Sequence, residues 1–425
     1  MDTPSKAQNG PSVKGFDFST LPDYRQMSMQ RAAGDLIGID LPFFRVTSQE
    51  DGAQITVAGK RCLQFASYDY LGFNQHPDVR NAAERAVQEW GVSATASRLV
   101  GGERPFHAKL EQKIASAYSV EDALALVSGH ATNVSVISAL TGPKDLVLID
   151  SLIHNSVSEG VRLSGATRLV FPHNDMSWID RKLAEIRGQY SRVLIVVEGL
   201  YSMDGDTPDL VKLAEIKSRH DAWLMVDEAH SFGVLGKTGR GISEAVGIDP
   251  RSVEIWMGTL SKALASSGGF IAGSAALIDY LRFKAAGFVF SVALSAPLAA
   301  AASASIDLLL AEPERVKKLA ENGQYFLKSA KQQGLNVGLS EGSAITPIVI
   351  GDSMRAIIAA NLLLESGINA LPIIFPAVPE KQARLRFFVT ATHSRSDLDY
   401  AIKTLVDVMK KVEMMPDLAT MIRQA

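Results

Sequence analysis

Six short apolar runs constrain the fold of this chain more than any other feature: Ala123 to Val127, Asp145 to Ile149, Arg168 to Phe171, Val193 to Val197, Ala222 to Val226 and Val253 to Met257. Most are separated by helix-length amphipathic segments such as Trp178 to Arg187 and Leu210 to His220, and a further run, Phe270 to Ala272, soon follows. Apolar runs of strand length that alternate with helices predict a mostly parallel sheet covered on both faces. In such α/β folds ligands collect at the carboxyl ends of the strands.

The flanking segments read differently. Helical spacing covers Pro77 to Trp90 and Pro105 to Tyr118. Upstream, residues 1 to about 20 are expected to be a disordered arm, Pro22 to Gly34 a short helix, and Phe43-Phe44-Arg45 an extended entry segment. Ile55-Thr56-Val57 and Cys62 to Phe65 alternate around Gly59-Lys60, which predicts a hairpin. After a helical stretch from Ala296 to Gln333 come apolar runs at Ile345 to Ile350, Ala370 to Phe375 and Leu385 to Val389, with helices over Met354 to Glu365 and Asp397 to Val412. That is the pattern of a smaller α+β unit. The expected division is an arm and small-domain segment over 1–60, a large domain over 61–295 and a C-terminal α+β domain over 296–425.

Composition narrows the function classes. At 425 residues, 47% hydrophobic and 21% charged, the chain can bury a large core. A net charge of −3 without a basic block argues against nucleic acid or an anionic membrane as partner. Cys62 is the only cysteine, which excludes an intramolecular disulfide and fits a reducing cytoplasm. The opening MDTPSKAQNGPSVKG lacks the basic start and apolar run of a secretory signal. Ala296 to Ala311 is interrupted by Ser303, Ser305 and Asp307 and predicts a buried helix, not a spanning one.

The chemistry gathers at strand ends. Gly258-Thr259-Leu260-Ser261 delivers Lys262 between hydroxyls and glycines, with no acid nearby in sequence to pair with it. Desolvation lowers an ammonium pKa, and a neutral amine attacks carbonyl groups. Upstream, Leu224 to Val226 ends in Asp227-Glu228-Ala229-His230, so two strand ends can bring Asp227, His230 and Lys262 into one crevice. Ser128-Gly129-His130 follows another apolar run and opens a helix, a place for phosphate or for an ordinary serine cap. His154 and the loop Glu198 to Asp206 follow two more runs. Gly236-Lys237-Thr238 is no P-loop, because Ser231 stands where that motif needs glycine. With no His-Glu-x-x-His pair, no metal site is expected.

Taken together, these motifs resemble the α-oxoamine synthases, pyridoxal-phosphate enzymes of the aspartate-aminotransferase fold (fold type I). The resemblance spans roughly Phe43 to Val412. It rests on Tyr70-Leu71-Gly72, Ser97 to Gly102, Asp150 to His154, Glu198-Gly199 with Ser202-Met203-Asp204-Gly205, Val226 to Gly233, and Gly258 to Lys262. It implies a large domain with a mostly parallel seven-stranded sheet and a smaller C-terminal α+β domain.

By this resemblance, Lys262 holds pyridoxal 5′-phosphate covalently and then moves the amino-acid α-proton. Asp227 keeps the pyridine nitrogen protonated, His154 stacks on the ring and His230 hydrogen-bonds its phenolic oxygen. Ser128, Gly129, His130, Thr259 and Ser261 surround the phosphate, Ser202 lies near the ring, and Ser291 reaches the partner subunit's phosphate. Arg386 aligns with the arginine that takes the substrate carboxylate, with Thr390 in the same substrate region. The implied reaction is a decarboxylative condensation of alanine, serine or glycine with an acyl thioester of coenzyme A or an acyl carrier protein. The product is an α-amino ketone. A cytoplasmic homodimer with shared sites is expected, on Phe288-Val289-Phe290-Ser291. This chain has Tyr68-Asp69-Tyr70 where the family often has Asn-Asp-Tyr, and it lacks the usual hydroxyl at Val292. Two alternatives stand beside this reading: another fold type I enzyme, such as an aminotransferase or lyase, and a partner subunit of a serine palmitoyltransferase-like complex.

Overall fold

The apolar runs assemble into one sheet. The computed structural model describes residues 17–36 and 39–416. Strands β1 (Thr47–Asp51), β2 (Gln54–Val57) and β3 (Lys60–Gln64) precede β4 (Asp122–Leu126), β5 (Leu146–Asp150), β6 (Thr167–Phe171), β7 (Val193–Glu198), β8 (Trp223–Asp227), β9 (Ile255–Thr259) and β10 (Gly269–Gly273). Strands β4 to β10 form a seven-stranded sheet in the order β4-β10-β9-β8-β7-β5-β6. Neighbours among β5 to β9 run parallel, whereas β10 is antiparallel to both β4 and β9. The stretch 260–268 between β9 and β10 is too short for a parallel crossover, so the chain must turn straight back after Lys262.

Successive side chains of a strand point to opposite faces. Leu146, Leu148, Ile195, Leu224 and Val226 accordingly enter one core, and Val147, Ile149, Leu194, Val196 and Met225 enter the other. Interior strands β5, β7 and β9 are buried throughout, while edge strand β6 is largely exposed. Helices Pro77–Trp90 and Pro105–Tyr118 each begin with proline in the first turn, where its missing N–H costs nothing. The long helical stretch is two helices, Ala296–Ala311 and Pro313–Gln332, because Pro313 cannot continue the first.

The last strands are β11 (Ile345–Gly351), β12 (Ile368–Asn369), β13 (Leu371–Ile373) and β14 (Ala383–Phe388). Strands β11, β14 and β13 make an antiparallel sheet with β14 in the centre. The run read as one strand over Ala370 to Phe375 is therefore a change of sheet: β12 pairs in parallel with β3, and β13 pairs with β14. The expected hairpin is present as β2 and β3, and it joins the C-terminal β12. The boundary expected at residue 61 thus falls inside a hairpin. Ala299, Ala302 and Ile306 of the helix Ala296–Ala311 also share the core of the seven-stranded sheet. We propose unit boundaries on that basis: β1 to β3 with the C-terminal unit, and the large unit extended to Ala311. The arm expected over 1–20 lies mostly outside the described residues, but Phe18–Thr20 form a 3-10 turn capped by Asp17.

The fold therefore lines up Ser128, Asp150, Glu198, Asp227 and Thr259 at the carboxyl ends of β4, β5, β7, β8 and β9. Along β14, Leu385 and Phe387 enter the core of the smaller unit. Arg384 and Arg386 point the other way, to the loop after β7.

Candidate active site

A cavity of about 260 Å³ opens at these strand ends, lined by residues that include Ser128, His130, His154, Glu198, Asp227 and Lys262. A larger one, about 530 Å³, sits at the opposite end of the sheet around Trp223 and Leu277 and contains none of the motif residues.

One end of the cavity suits an anion. Ser128 caps the helix Gly129–Leu140, whose first turn presents free N–H groups and the positive end of the helix dipole. A Cβ at residue 129 would lie 2.9 Å from Thr259 Oγ1, so glycine lets the helix start approach strand β9. The Thr259 and Ser261 hydroxyls border this end and donate to the Gly268 carbonyl at 2.9 and 3.2 Å. His130 is exposed, its ring 6.3 Å from the His154 ring.

The floor is acidic. Asp227 ends β8 with one carboxylate oxygen accepting from the Ala229 N–H at 2.9 Å and the other from Asn133 Nδ2 at 2.8 Å. Asn133 also donates to Ser156 Oγ at 2.9 Å, and that hydroxyl lies 2.7 Å from His154 Nδ1. Glu198 pairs in register with Asp227 on the adjacent strand. Burial, reinforced by the Asp227 charge, pushes its carboxyl up to about 8, while it accepts the N–H groups of His154 (2.7 Å) and Ser202 (3.1 Å).

Lys262 and His230 form the opposite wall, with Nζ 2.9 Å from His230 Nε2. Burial brings the Lys262 amine down to about 8, against the pull of Asp227 and Glu198. Burial and then the nearby Lys262 and Arg386 charges hold His230 well below its ordinary value. His230 Nδ1 lies 2.7 Å from Tyr70 Oη. Arg386 is buried; it donates to the Ser202 carbonyl at 2.9 Å and to Tyr68 Oη at 3.2 Å. Its Nε has no partner among the described residues. Tyr68 stands 5.5 Å below Lys262 Nζ, ring centroid to nitrogen, and so borders both cations.

Of the residues named from sequence, the structure brings Ser128, Gly129, His130, His154, Asp227, His230, Thr259, Ser261 and Lys262 to one cavity. Arg386 stands behind it, bonded to the Ser202 carbonyl, so Ser202 contributes backbone there. Ser291 lies beyond the short helix Ala286–Val289 and does not line the cavity. Thr390 does not line it either: β14 ends at Phe388, and the Thr390 hydroxyl closes the following turn on Thr392 Oγ1 and His393 Nδ1, both at 2.8 Å. Asn133, Ser156 and Glu198 were missed as site residues. Asn133 was readable, since it sits one helical turn after Gly129 and so faces the same way.

Residues 60–405 match the aminotransferase class I and II family. The chain is 40% identical to the 8-amino-7-oxononanoate synthase of Thermosipho melanesiensis, over 87% of this chain and 94% of that protein. It is 40% identical to 8-amino-7-oxononanoate synthase 1 of Bacillus subtilis, over 86% and 92%. A Sphingomonas wittichii serine palmitoyltransferase superposes with a TM-score of 0.89 at 27% identity, covering 94% of this chain and all of that one. An S. paucimobilis serine palmitoyltransferase with bound pyridoxal phosphate and myriocin gives 0.90 at 26% identity, with the same coverage. The cavity fits that cofactor: a glycine cradle and helix start for its phosphate, a buried carboxylate for its ring nitrogen and a desolvated lysine for its aldehyde. The chain belongs to the aminotransferase class I and II family, in its α-oxoamine synthase branch, with pyridoxal 5′-phosphate as cofactor.

Proposed function

We propose that this enzyme condenses alanine with an acyl thioester, releasing a thiol, carbon dioxide and an α-amino ketone. The observation that carries the reading is Lys262: a desolvated amine within 2.9 Å of a neutral histidine, in the same cavity as Asp227. When bound, the cofactor acts as an electron sink for a carbanion at the amino-acid α-carbon. Lys262 holds it and takes the α-proton on Nζ. Asp227, fixed by Asn133 and the Ala229 N–H, keeps a proton on the ring nitrogen. His154 faces the ring, His230 donates to its phenolic oxygen, and the helix start at Gly129 with Ser128, His130, Thr259 and Ser261 holds the phosphate. Arg386, whose buried Nε has no partner among the described residues, takes the substrate carboxylate. The carbanion would attack the thioester carbonyl, the C–S bond breaks, and the thiolate leaves and takes a proton from water. The carboxylate then leaves as carbon dioxide, and the α-carbon takes its proton back from Lys262 Nζ.

Alanine is favoured by the relatives' names. In 8-amino-7-oxononanoate the amino carbon carries a terminal methyl, as alanine leaves it, and the other seven carbons describe the acyl donor. Serine is the second reading, because serine palmitoyltransferases superpose on this chain with TM-scores of 0.89 and 0.90. Lys262→Ala tests the assignment of the lysine: the visible absorbance of lysine-bound cofactor and turnover should both vanish, and an unchanged spectrum contradicts it.

The active unit in this reading is a cytoplasmic homodimer. Val92, Val100 and Phe290 are 72%, 82% and 87% exposed, apolar side chains that a partner subunit would cover. Ala293 N–H donates to the Ala96 carbonyl, which ties the segment carrying Phe290 and Ser291 to the turn at 97–102. Ser291 on that segment would serve the partner's phosphate. Sedimentation of an active monomer rules the dimer out. Among the described residues no helix is long and apolar enough to cross a membrane.

A further inference from the structure

Outside the cavity, one histidine joins two of the loops that build it. His173, just past β6, lies between two buried carboxylates, with Nδ1 2.8 Å from Asp150 Oδ1 and Nε2 2.7 Å from Asp206 Oδ2. With an acceptor at each ring nitrogen, both nitrogens donate and the ring is an imidazolium. Burial opposes that charge, but the two carboxylates outweigh it and push the His173 pKa up to about 10. Asn174 reinforces the junction from a left-handed φ of 55°, donating its N–H to Asp150 at 3.0 Å and its amide to Asp206 at 2.9 Å.

Each carboxylate anchors a different loop. Asp150 ends β5 and opens the turn to His154, where it also accepts the Leu152 N–H at 2.8 Å. Asp206 closes the loop after β7: the Tyr201 N–H donates to the Asp206 carbonyl at 2.9 Å, and the Gly205 N–H to the Tyr201 carbonyl at 2.8 Å. Inside that closed loop sits the Ser202 carbonyl, the acceptor for Arg386 Nη1. Asp204 of the same loop pairs with Arg384 at 2.7 Å, so both arginines of β14 are read by one loop.

We propose that His173 is a positioning residue for amino-acid binding: by clamping Asp206 to Asp150 it fixes the Ser202 carbonyl, and through it the plane of the Arg386 guanidinium. The proposal rests on the reading of Arg386 as partner of the substrate carboxylate. A bidentate contact depends on the orientation of the guanidinium plane, so a tilted loop weakens it without removing any group that touches substrate. Glutamine at 173 is uncharged and carries both its N–H donors on one nitrogen, so it cannot span the two carboxylates as the opposed ring nitrogens do, and Asp150 and Asp206 would then repel each other across the junction.

The test is a double-mutant cycle of His173→Gln with Arg386→Ala. Alanine affinity is read by titrating the cofactor absorbance of the holoenzyme, and cofactor affinity by adding pyridoxal phosphate to apo-protein under tryptophan fluorescence. His173→Gln should weaken alanine binding about tenfold, leave cofactor affinity within about twofold, and add no further loss on Arg386→Ala. A full loss on the Arg386→Ala background, no loss in the wild-type background, or a parallel fall in cofactor affinity overturns the clamp. If Arg386→Ala alone leaves alanine binding unchanged, the reading of Arg386 fails and the clamp falls with it. Should His173→Gln fail to fold, Asp206→Asn, which keeps the side-chain shape, enters the same cycle with the same expected pattern.

Discussion

The Tyr70 hydroxyl and His230 Nδ1 lie 2.7 Å apart, both buried, and this contact orients the histidine that faces Lys262. Burial holds the Tyr70 phenol well above its ordinary pKa, so it keeps its proton. If that proton is donated to Nδ1, His230 carries its own proton on Nε2 and donates it to Lys262 Nζ at 2.9 Å. Nζ then accepts with its lone pair, the neutral and nucleophilic form that predominates above its pKa of about 8. In the reverse arrangement the buried phenolic proton has no acceptor, a cost of about 1–3 kcal/mol.

Tyr70→Phe removes the hydroxyl and frees the His230 tautomer. Above the Lys262 pKa of about 8, long-range nitrogen–proton spectra of the apo-protein, assigned with a His230→Gln control, should show Nε2 protonated in the wild type and a tautomer mixture in Tyr70→Phe. Turnover should fall about tenfold, equal to ~1.4 kcal/mol. Protonated Nδ1 in the wild type contradicts the arrangement.

The depressed Lys262 pKa of about 8 predicts how fast apo-protein captures the cofactor. Only the neutral amine reacts, and it is about a tenth of the total at pH 7 and about half at pH 8 for such a pKa. The capture rate should therefore rise about fivefold between pH 7 and 8 and level off above pH 9. Stopped-flow absorbance measures it. A rise that continues to pH 10 would mean an ordinary lysine.

Arg386→Ala should spare the absorbance of lysine-bound cofactor and weaken amino-acid binding. Loss of a charge-assisted bidentate contact in a partly desolvated site is worth about 2–4 kcal/mol. Alanine affinity should drop roughly 30- to 1,000-fold, with the thioester KM changed far less. Equal alanine affinity in the two proteins would place the carboxylate elsewhere.

Much of this was legible because strand ends and helix starts are local events. Pro77 and Pro105 each mark a helix start, and the apolar runs predicted all seven strands of the sheet to within two residues at either end. The sequence order alone groups Asp227, His230 and Lys262, since parallel strands bring their carboxyl ends to one edge. Other features depend on pairings distant in sequence. Nothing local says that Ile368–Asn369 pairs with β3 while Leu371–Ile373 pairs with β14. Hydroxyl partners are equally hidden: Thr390 closes its own turn because β14 stops two residues earlier. His173 has no sequence signal at all, as its two carboxylates lie 23 and 33 residues away.

A thioester condensation releases products that no transamination gives. Holoenzyme given alanine and a seven-carbon acyl thioester, presented on coenzyme A and on a carrier protein, should release free thiol and carbon dioxide in equal amounts. The rate should exceed that with serine or glycine. Transfer of the amino group to a keto acid with neither thiol nor carbon dioxide released would contradict the account and return the chain to the aminotransferases.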